Sequence, residues 1–112
     1  MATAMGWVVE TLNENVDAEL AALPVDMRAR FVRIGQLIEA VGLPNVREPH
    51  LKHLRGPVWE IRLRGKDAIA RALYATAQRQ RVVVLRVFVK KTQKTPNSEI
   101  DLAVQRMKEL EK

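Results

Sequence analysis

The run RVVVLRVFVK, Arg81 to Lys90, has a β-branched or large apolar side chain at seven of its ten positions, on both parities of the strand period. A strand with apolar residues on both faces belongs in the middle of a sheet rather than at its edge. The rest of the chain therefore has to supply flanking strands and covering helices. The run ends in lysines: Lys90, Lys91 and Lys94 fall within five residues, before Pro96 and a helix-start pattern at Ser98.

Strand partners lie just upstream. In VWEIRLR, Trp59, Ile61 and Leu63 share one face and Glu60, Arg62 and Arg64 the other, the pattern of a strand packed on one side. Gly65-Lys66-Asp67 reads as a turn, Ala68 to Thr76 as a second strand bracketed by hairpin signals, and Ala77 to Gln80 as the next turn. Upstream again, Val16, Leu20 and Leu23 mark a short helix ended by Pro24. Met27, Phe31, Ile34, Leu37, Ile38 and Val41 mark a longer one, with Asp26 as its expected N-cap and Gly42-Leu43-Pro44 as its stop. Trp7 to Val9 is a β candidate, and Pro44 to Pro57 reads as a polar, turn-rich connection. Ser98 with Asp101 resembles a capping box opening a last helix that carries Ile100, Val104, Met107 and Leu110. The expected architecture is α+β over a single domain, residues 1–112: β-α-α-β-β-β-α, an antiparallel sheet packed on one face by helices.

Charge is concentrated. Residues 50–95 hold twelve of the nineteen Lys/Arg and only two of the thirteen Asp/Glu, so the basicity belongs to the strand region and points to a polyanionic partner. With no cysteine in the chain, disulfides, zinc-thiolate sites and thiol nucleophiles are excluded. No segment approaches membrane-spanning length, and a cytoplasmic protein is expected. Glycine-rich phosphate loops and the GxSxG and HExxH signatures are all missing, which argues against nucleotide hydrolysis, serine chemistry and zinc peptidase activity.

Strict alternation puts Arg86, Phe88 and Lys90 on one side of the last strand and Val83, Leu85, Val87 and Val89 on the other. If helices cover the face of Trp59, Ile61 and Leu63, the opposite face displays Glu60, Arg62 and Arg64 as an open, cation-lined groove of a kind that holds RNA. Arg62, Arg64, Arg71, Lys90 and Lys91 are its candidate phosphate ligands. Proton carriers could come from His50, His53, Tyr74, Glu60 or a lysine disfavoured by cationic neighbours. Each has a plain alternative: Glu60 as an ion-pair partner that orders the arginines, Tyr74 as core, Arg79 and Arg81 as solvated turn charge. His50 and His53 have no carboxylate cluster beside them, and a metal site is not expected.

The segment Leu51 to Leu110 carries a Leu-x-x-Leu before the Trp59-Glu60-Ile61-Arg62 strand, an arginine-bearing strand, and the closing Phe88-x-Lys90-Lys91-Thr92-x-Lys94-Thr95-Pro96 followed by an amphipathic helix. In this it resembles the phage-derived, HigB-like branch of the RelE/ParE toxin superfamily. The resemblance implies a type II toxin that cleaves mRNA on the ribosome without a metal or other cofactor, by attack of the 2′-hydroxyl to leave a 2′,3′-cyclic phosphate. It implies neutralisation by a cognate antitoxin, commonly a helix-turn-helix protein of the HigA kind, with operator DNA bound only through the complex. The positions that match are Lys52, Arg55, Glu60, Arg62, Arg71, Lys90 and Lys91; the expected catalytic set is Glu60, Arg62, Arg71 and Lys90, and the expected RNA-binding set is Lys52, Arg55, Arg64, Tyr74, Arg86, Lys91 and Lys94. The superfamily also contains gyrase inhibitors, and a plain nucleic-acid-binding module is the third reading. Regular alternation places Arg71 and Tyr74 on opposite faces unless a bulge intervenes.

Overall fold

The computed structural model of the protein describes residues 6–46, 50–90 and 94–111. Strand β1 (Val8–Thr11) leads into helices α1 (Glu14–Ala21) and α2 (Val25–Val41); then come β2 (Leu51–Arg55), β3 (Val58–Arg64), β4 (Ile69–Ala77), β5 (Arg81–Lys90) and α3 (Asn97–Met107). The five strands form one sheet in the order β1-β5-β4-β3-β2. Its consecutive strands β2 to β5 are antiparallel, as their tight turns require.

The sheet departs from expectation at both edges. It is mixed rather than antiparallel, because β1 runs parallel to β5, with Val8 opposite Arg81 and Thr11 opposite Val84. Leu51–Arg55, read as loop, is an edge strand that pairs Lys52 with Glu60. Two helix starts also shift. Helix α2 begins at Val25 after Pro24, and the Asp26 carboxylate instead accepts the backbone N–H of Met27 at 2.9 Å and of Lys66 at 2.7 Å. Helix α3 begins at Asn97 after Pro96, so Ser98 lies inside its first turn, and Asp101 pairs with Arg55.

Two cores follow from the two apolar parities of β5. Helices α1 and α2 bury Val16, Met27, Phe31, Ile34 and Ile38 against Ile61, Leu63, Tyr74, Val82, Val84 and Val87. Helix α3 lies on the other face, where Ala103 meets Val58, Leu73, Ala75, Val83, Leu85 and Phe88. Both faces are therefore helix-covered, against the expectation of one open face. The second face is covered only over the part of the sheet facing α3.

The phase of β5 changes along its length. Leu73 pairs with Arg86 while its neighbour Tyr74 pairs with Val84, so β5 has one residue more than β4 here, a β-bulge at Leu85. Val83 and Leu85 therefore face α3, contrary to the even alternation expected, while Val87 remains on the hairpin side. Beyond the bulge β1 has ended, and the exposed N–H of Val87 is taken by the Glu19 carboxylate at 3.0 Å. Glu19 also receives Arg106 at 2.8 Å and Arg86 at 2.9 Å; Arg86 in turn holds Glu99 through two nitrogens. One carboxylate on α1 thus joins the β5 edge to α3.

The turn between β4 and β5 puts Arg79 and Gln80 at φ of 66° and 58°, a left-handed conformation that disfavours side chains. Gln80→Gly is expected to stabilise the protein by about 1 kcal/mol, read as a raised unfolding midpoint; an unchanged or lower midpoint would show that the turn carries no such strain. Glu19 supplies a pH signature. Burial pushes its carboxyl up, but the hydrogen bonds from Arg106 and Val87 N–H and the charge of Arg86 bring it below its ordinary 4.5. Its stabilisation is therefore present above 4.5 and lost as pH falls through the lowered folded-state value. Acid unfolding should consequently have a shallower limb below pH 4.5 in Glu19→Gln than in the wild type.

Candidate functional site

Pairing across β2, β3, β4 and β5 builds a grid on the α3 face. One row holds Lys52, Glu60, Leu73 and Arg86; the next Arg62, Arg71 and Phe88; the last Arg64, Ile69 and Lys90. Period-two alternation in β3 and β4 suffices to bring Glu60, Arg62 and Arg71 together, as the sequence implied. Lys90 joins them because β5 has already changed phase at Leu85.

Burial divides this grid. Glu60 is 2% exposed, Arg71 4% and Lys90 5%, whereas Lys52 and Arg64 are open to solvent. The buried carboxylate is fully engaged. Glu60 Oε1 accepts the Thr95 hydroxyl at 2.5 Å and lies 3.3 Å from Arg71 Nε, and its Oε2 lies 3.4 Å from Arg62 Nε. One anion thus faces three cations in poorly hydrated surroundings. Arg71 Nη1 donates to the carbonyl of Ala70, but its Nε is buried without a hydrogen-bond acceptor among the described residues, the Glu60 contact being an ion pair off the hydrogen-bonding line.

The electrostatics follow. Burial lowers Arg71 from its ordinary value, Glu60 opposes this, and the charges of Arg62 and Arg64 deepen it. Burial likewise lowers Lys90, helped by Arg71, Arg62 and Lys52 and opposed by Glu60. A cation whose charged form is disfavoured in the free protein gains most when an anion arrives. Arrangements of this kind bind phosphate esters and stabilise charge that develops on phosphoryl oxygens.

Around the cluster lie three clefts that share Arg62. The largest, about 470 Å³, is lined by Lys52, His53, Arg55, Glu60, Lys94 and Thr95 among others; a second, about 310 Å³, by Arg64, Ile69 and Arg71; a third, about 280 Å³, by Arg30, His50 and Arg64. Lys94 is exposed at the mouth of the first. Arg55 lines it too while pairing with Asp101. Lys91 lies outside the described residues.

Two of the expected site residues have other surroundings. Tyr74 is on the opposite face: it pairs with Trp59, is 2% exposed in the hairpin core, and lines an apolar pocket of about 370 Å³ with Leu43, Val46 and Leu51. Burial pushes its phenol above the usual range. The bulge that might have reunited it with Arg71 lies in β5, and β4 is regular. Arg86 does share the site's face, yet its guanidinium is taken up by Glu19 and Glu99, with Phe88 5.8 Å away; hydrogen bonding to Glu99 raises it above its ordinary value against burial. Through these two carboxylates it ties β5 to α1 and α3. His53 points a ring nitrogen at the carbonyl of Gly56, 2.7 Å away, with its ring edge-on to Trp59. Conversely, Thr95 was not anticipated as a site residue, although the Thr95-Pro96 pair that ends the closing motif was its signal.

Among the described residues no group of three or more His, Asp or Glu side chains could hold a metal ion, and no helix is long and apolar enough to cross a membrane.

This sheet and helix arrangement is a RelE-like fold. A free-state variant of the E. coli toxin RelE matches with a TM-score of 0.64 at 21% identity, over 91% of this chain and 98% of that one. The archaeal RelE–RelB complex from Pyrococcus horikoshii OT3 matches with a TM-score of 0.54 at 22% identity, over 73% of this chain and 92% of the other. By sequence, the chain belongs to the family of phage-derived, Gp49-like proteins, whose pattern spans residues 18–108. No curated protein matches it in sequence.

Lys90 gives the site a stability signature. Because its folded-state value is lowered, its charge costs stability at neutral pH, and that cost is relieved as pH rises toward 10.5. Lys90→Met is therefore expected to raise the unfolding midpoint of the free protein at pH 7. The difference between variant and wild-type unfolding midpoints should shrink above pH 9 to 10, on the order of the lysine range; a destabilised variant would mean that the partners of Lys90 outweigh the cost of burying its charge.

Proposed function

We propose that this chain is a HigB-like toxin of a type II toxin–antitoxin pair, acting in the cytoplasm as a ribosome-dependent, metal-independent mRNA endonuclease. The observation that carries this reading is the buried group of Glu60, Arg62, Arg71 and Lys90, in which two nearly inaccessible cations and a third share one carboxylate. A group with more cations than carboxylates among the described residues suits an incoming anion. Its place on a face whose surrounding clefts are lined by Lys52, Arg64, Lys94 and Arg30 fits a polyanion better than a small acid.

In this mechanism the 2′-oxygen attacks the adjacent phosphorus in line. The O2′–P bond forms, the P–O5′ bond breaks, and the strand ends as a 2′,3′-cyclic phosphate and a 5′-hydroxyl. Arg62 and Arg71 hold the non-bridging oxygens as their charge grows. Lys90, whose charged form burial disfavours, gives its proton to the departing 5′-oxygen more readily than an exposed lysine would, and the 2′-proton passes to solvent. Glu60, with both oxygens engaged, orients the arginines and is a positioning residue. Lys52, Arg64, Lys91, Lys94 and Arg55 serve flanking mRNA or ribosomal RNA. A fold neighbour solved as a RelE–RelB complex supports a protein antitoxin as partner. A helix-turn-helix antitoxin of the HigA kind, reaching operator DNA on behalf of the pair, completes the proposal.

The test is induced expression in a host lacking the antitoxin, with mapping of mRNA 5′ ends. Wild-type protein should arrest growth and create new in-frame cuts. Arg62→Ala and Lys90→Ala should each reduce cutting by about a hundredfold or more. Arrest with DNA damage and no cuts would transfer the protein to the gyrase-inhibitor class; tight nucleic-acid binding with no arrest would make it a plain binding module.

A further inference from the structure

The third cleft contains residues that the proposed cleavage site does not use. Arg30 is on α2, His50 precedes β2, and Arg62 and Arg64 are on β3, yet all four line one space of about 280 Å³. Among the described residues no carboxylate lines it. Neither Arg30 nor Arg64 has an ion-pair partner among the described residues, whereas Arg55, Arg81, Arg86 and Arg106 all do.

The fold holds this cleft open by local contacts. The first turn of α2 is tied to the turn after β3, with the Asp26 carboxylate accepting Lys66 N–H at 2.7 Å. Gly65 lies so close to Met27 that an added Cβ would come within 2.6 Å of its side chain. Arg30 is one helical turn beyond Asp26 on the same side of α2, and it lines the same cleft as Arg62 and Arg64. His50 is fixed from the other direction, because its carbonyl accepts the backbone N–H of Arg62 at 2.8 Å.

From this geometry we infer that Arg30, His50 and Arg64 form a second phosphate subsite, which grips the next phosphodiester of a single RNA strand beyond the one held by Arg62, Arg71 and Lys90. The inference rests on the endonuclease reading and deepens it. Arg62 lines both this cleft and the one containing Lys52 and Lys94, so it is the point where the two meet. The strand therefore runs from Lys52 and Lys94, past the buried cluster, to the surface of α2. Arg30 and Arg64, which have no ion-pair partner among the described residues, suit this role.

The test measures binding of 2′-O-methyl oligoribonucleotides, which lack the attacking hydroxyl, as a function of strand length and salt. For the wild type, lengthening the strand from two to six nucleotides should tighten binding, and Arg30→Gln should lose about tenfold of that gain at low salt. The slope of log affinity against log salt should fall by about 0.7, the value for one phosphate contact on a single strand. His50→Gln should weaken the long strand and spare the dinucleotide. Arg33→Gln, on the same helix and outside the cleft, is the control for general loss of charge. Equal losses in Arg30→Gln and Arg33→Gln, or a wild type that binds both lengths equally, would overturn the subsite while leaving the cleavage reading intact. If the wild type binds no RNA of any length and cuts none in cells, the cleavage reading itself fails.

Discussion

Glu60 is the point on which the arrangement of the site turns. A carboxylate 2% exposed would be very costly alone, and three cations beside it would be as costly without it. Together they form a mutual constraint. Arg71 on β4 and Arg62 on β3 are held by the same two oxygens, and Thr95 ties the segment after β5 to one of them. The placement of the segment entering α3 therefore depends on a residue in the middle of the sheet. Burial, and after it the neighbouring cations, lowers both Arg71 and Lys90, with Glu60 opposing.

A second carboxylate does comparable work for the fold. Parallel pairing with β1 covers only the first half of β5. The bare edge that follows would otherwise expose unpaired backbone groups, an invitation to further strand pairing. Glu19 accepts the Val87 N–H there, and through Arg86 and Arg106 it connects α1 to α3. The basic charge near this edge is thereby consumed in structure. At Arg30 and Arg64, among the described residues, it is not, and that contrast separates arginines that hold the protein from those left for a ligand.

Much of this was readable in the sequence where a local period decides it. The alternation of Trp59 to Arg64 and of the strand containing Arg71 suffices to put Glu60, Arg62 and Arg71 on one face, and the helical spacing of Met27 to Ile38 finds α2. What escaped depends on distant partners. β1 pairs in parallel with a strand some seventy residues away, for which no turn or period gives a signal. The polar sequence of β2 looks like a loop because an edge strand has little to bury. An amphipathic α3 announces that one side of it is covered but not which face of the sheet it will choose, and Thr95 and Arg30 reach the site only through tertiary packing.

The bulge at Leu85 shows why a strand apolar on both parities was not a matter of indifference. The cover of α3 needs Val83 and Leu85 on its face, and the cation cluster needs Phe88 and Lys90 on that same face. Strict alternation cannot deliver odd-numbered residues in the first half and even-numbered residues in the second. One extra residue in β5 resolves the conflict, because it reverses the phase between the part that builds the core and the part that serves the site. Apolar residues at Val82 through Leu85 tolerate either phase, so the shift leaves no polar side chain stranded. The cluster of lysines at the end of a core strand is then a consequence of register: the bulge turns Lys90 inward to Glu60 and Arg71, at the margin of the α3 cover, where a buried cation remains within reach of an anion from outside.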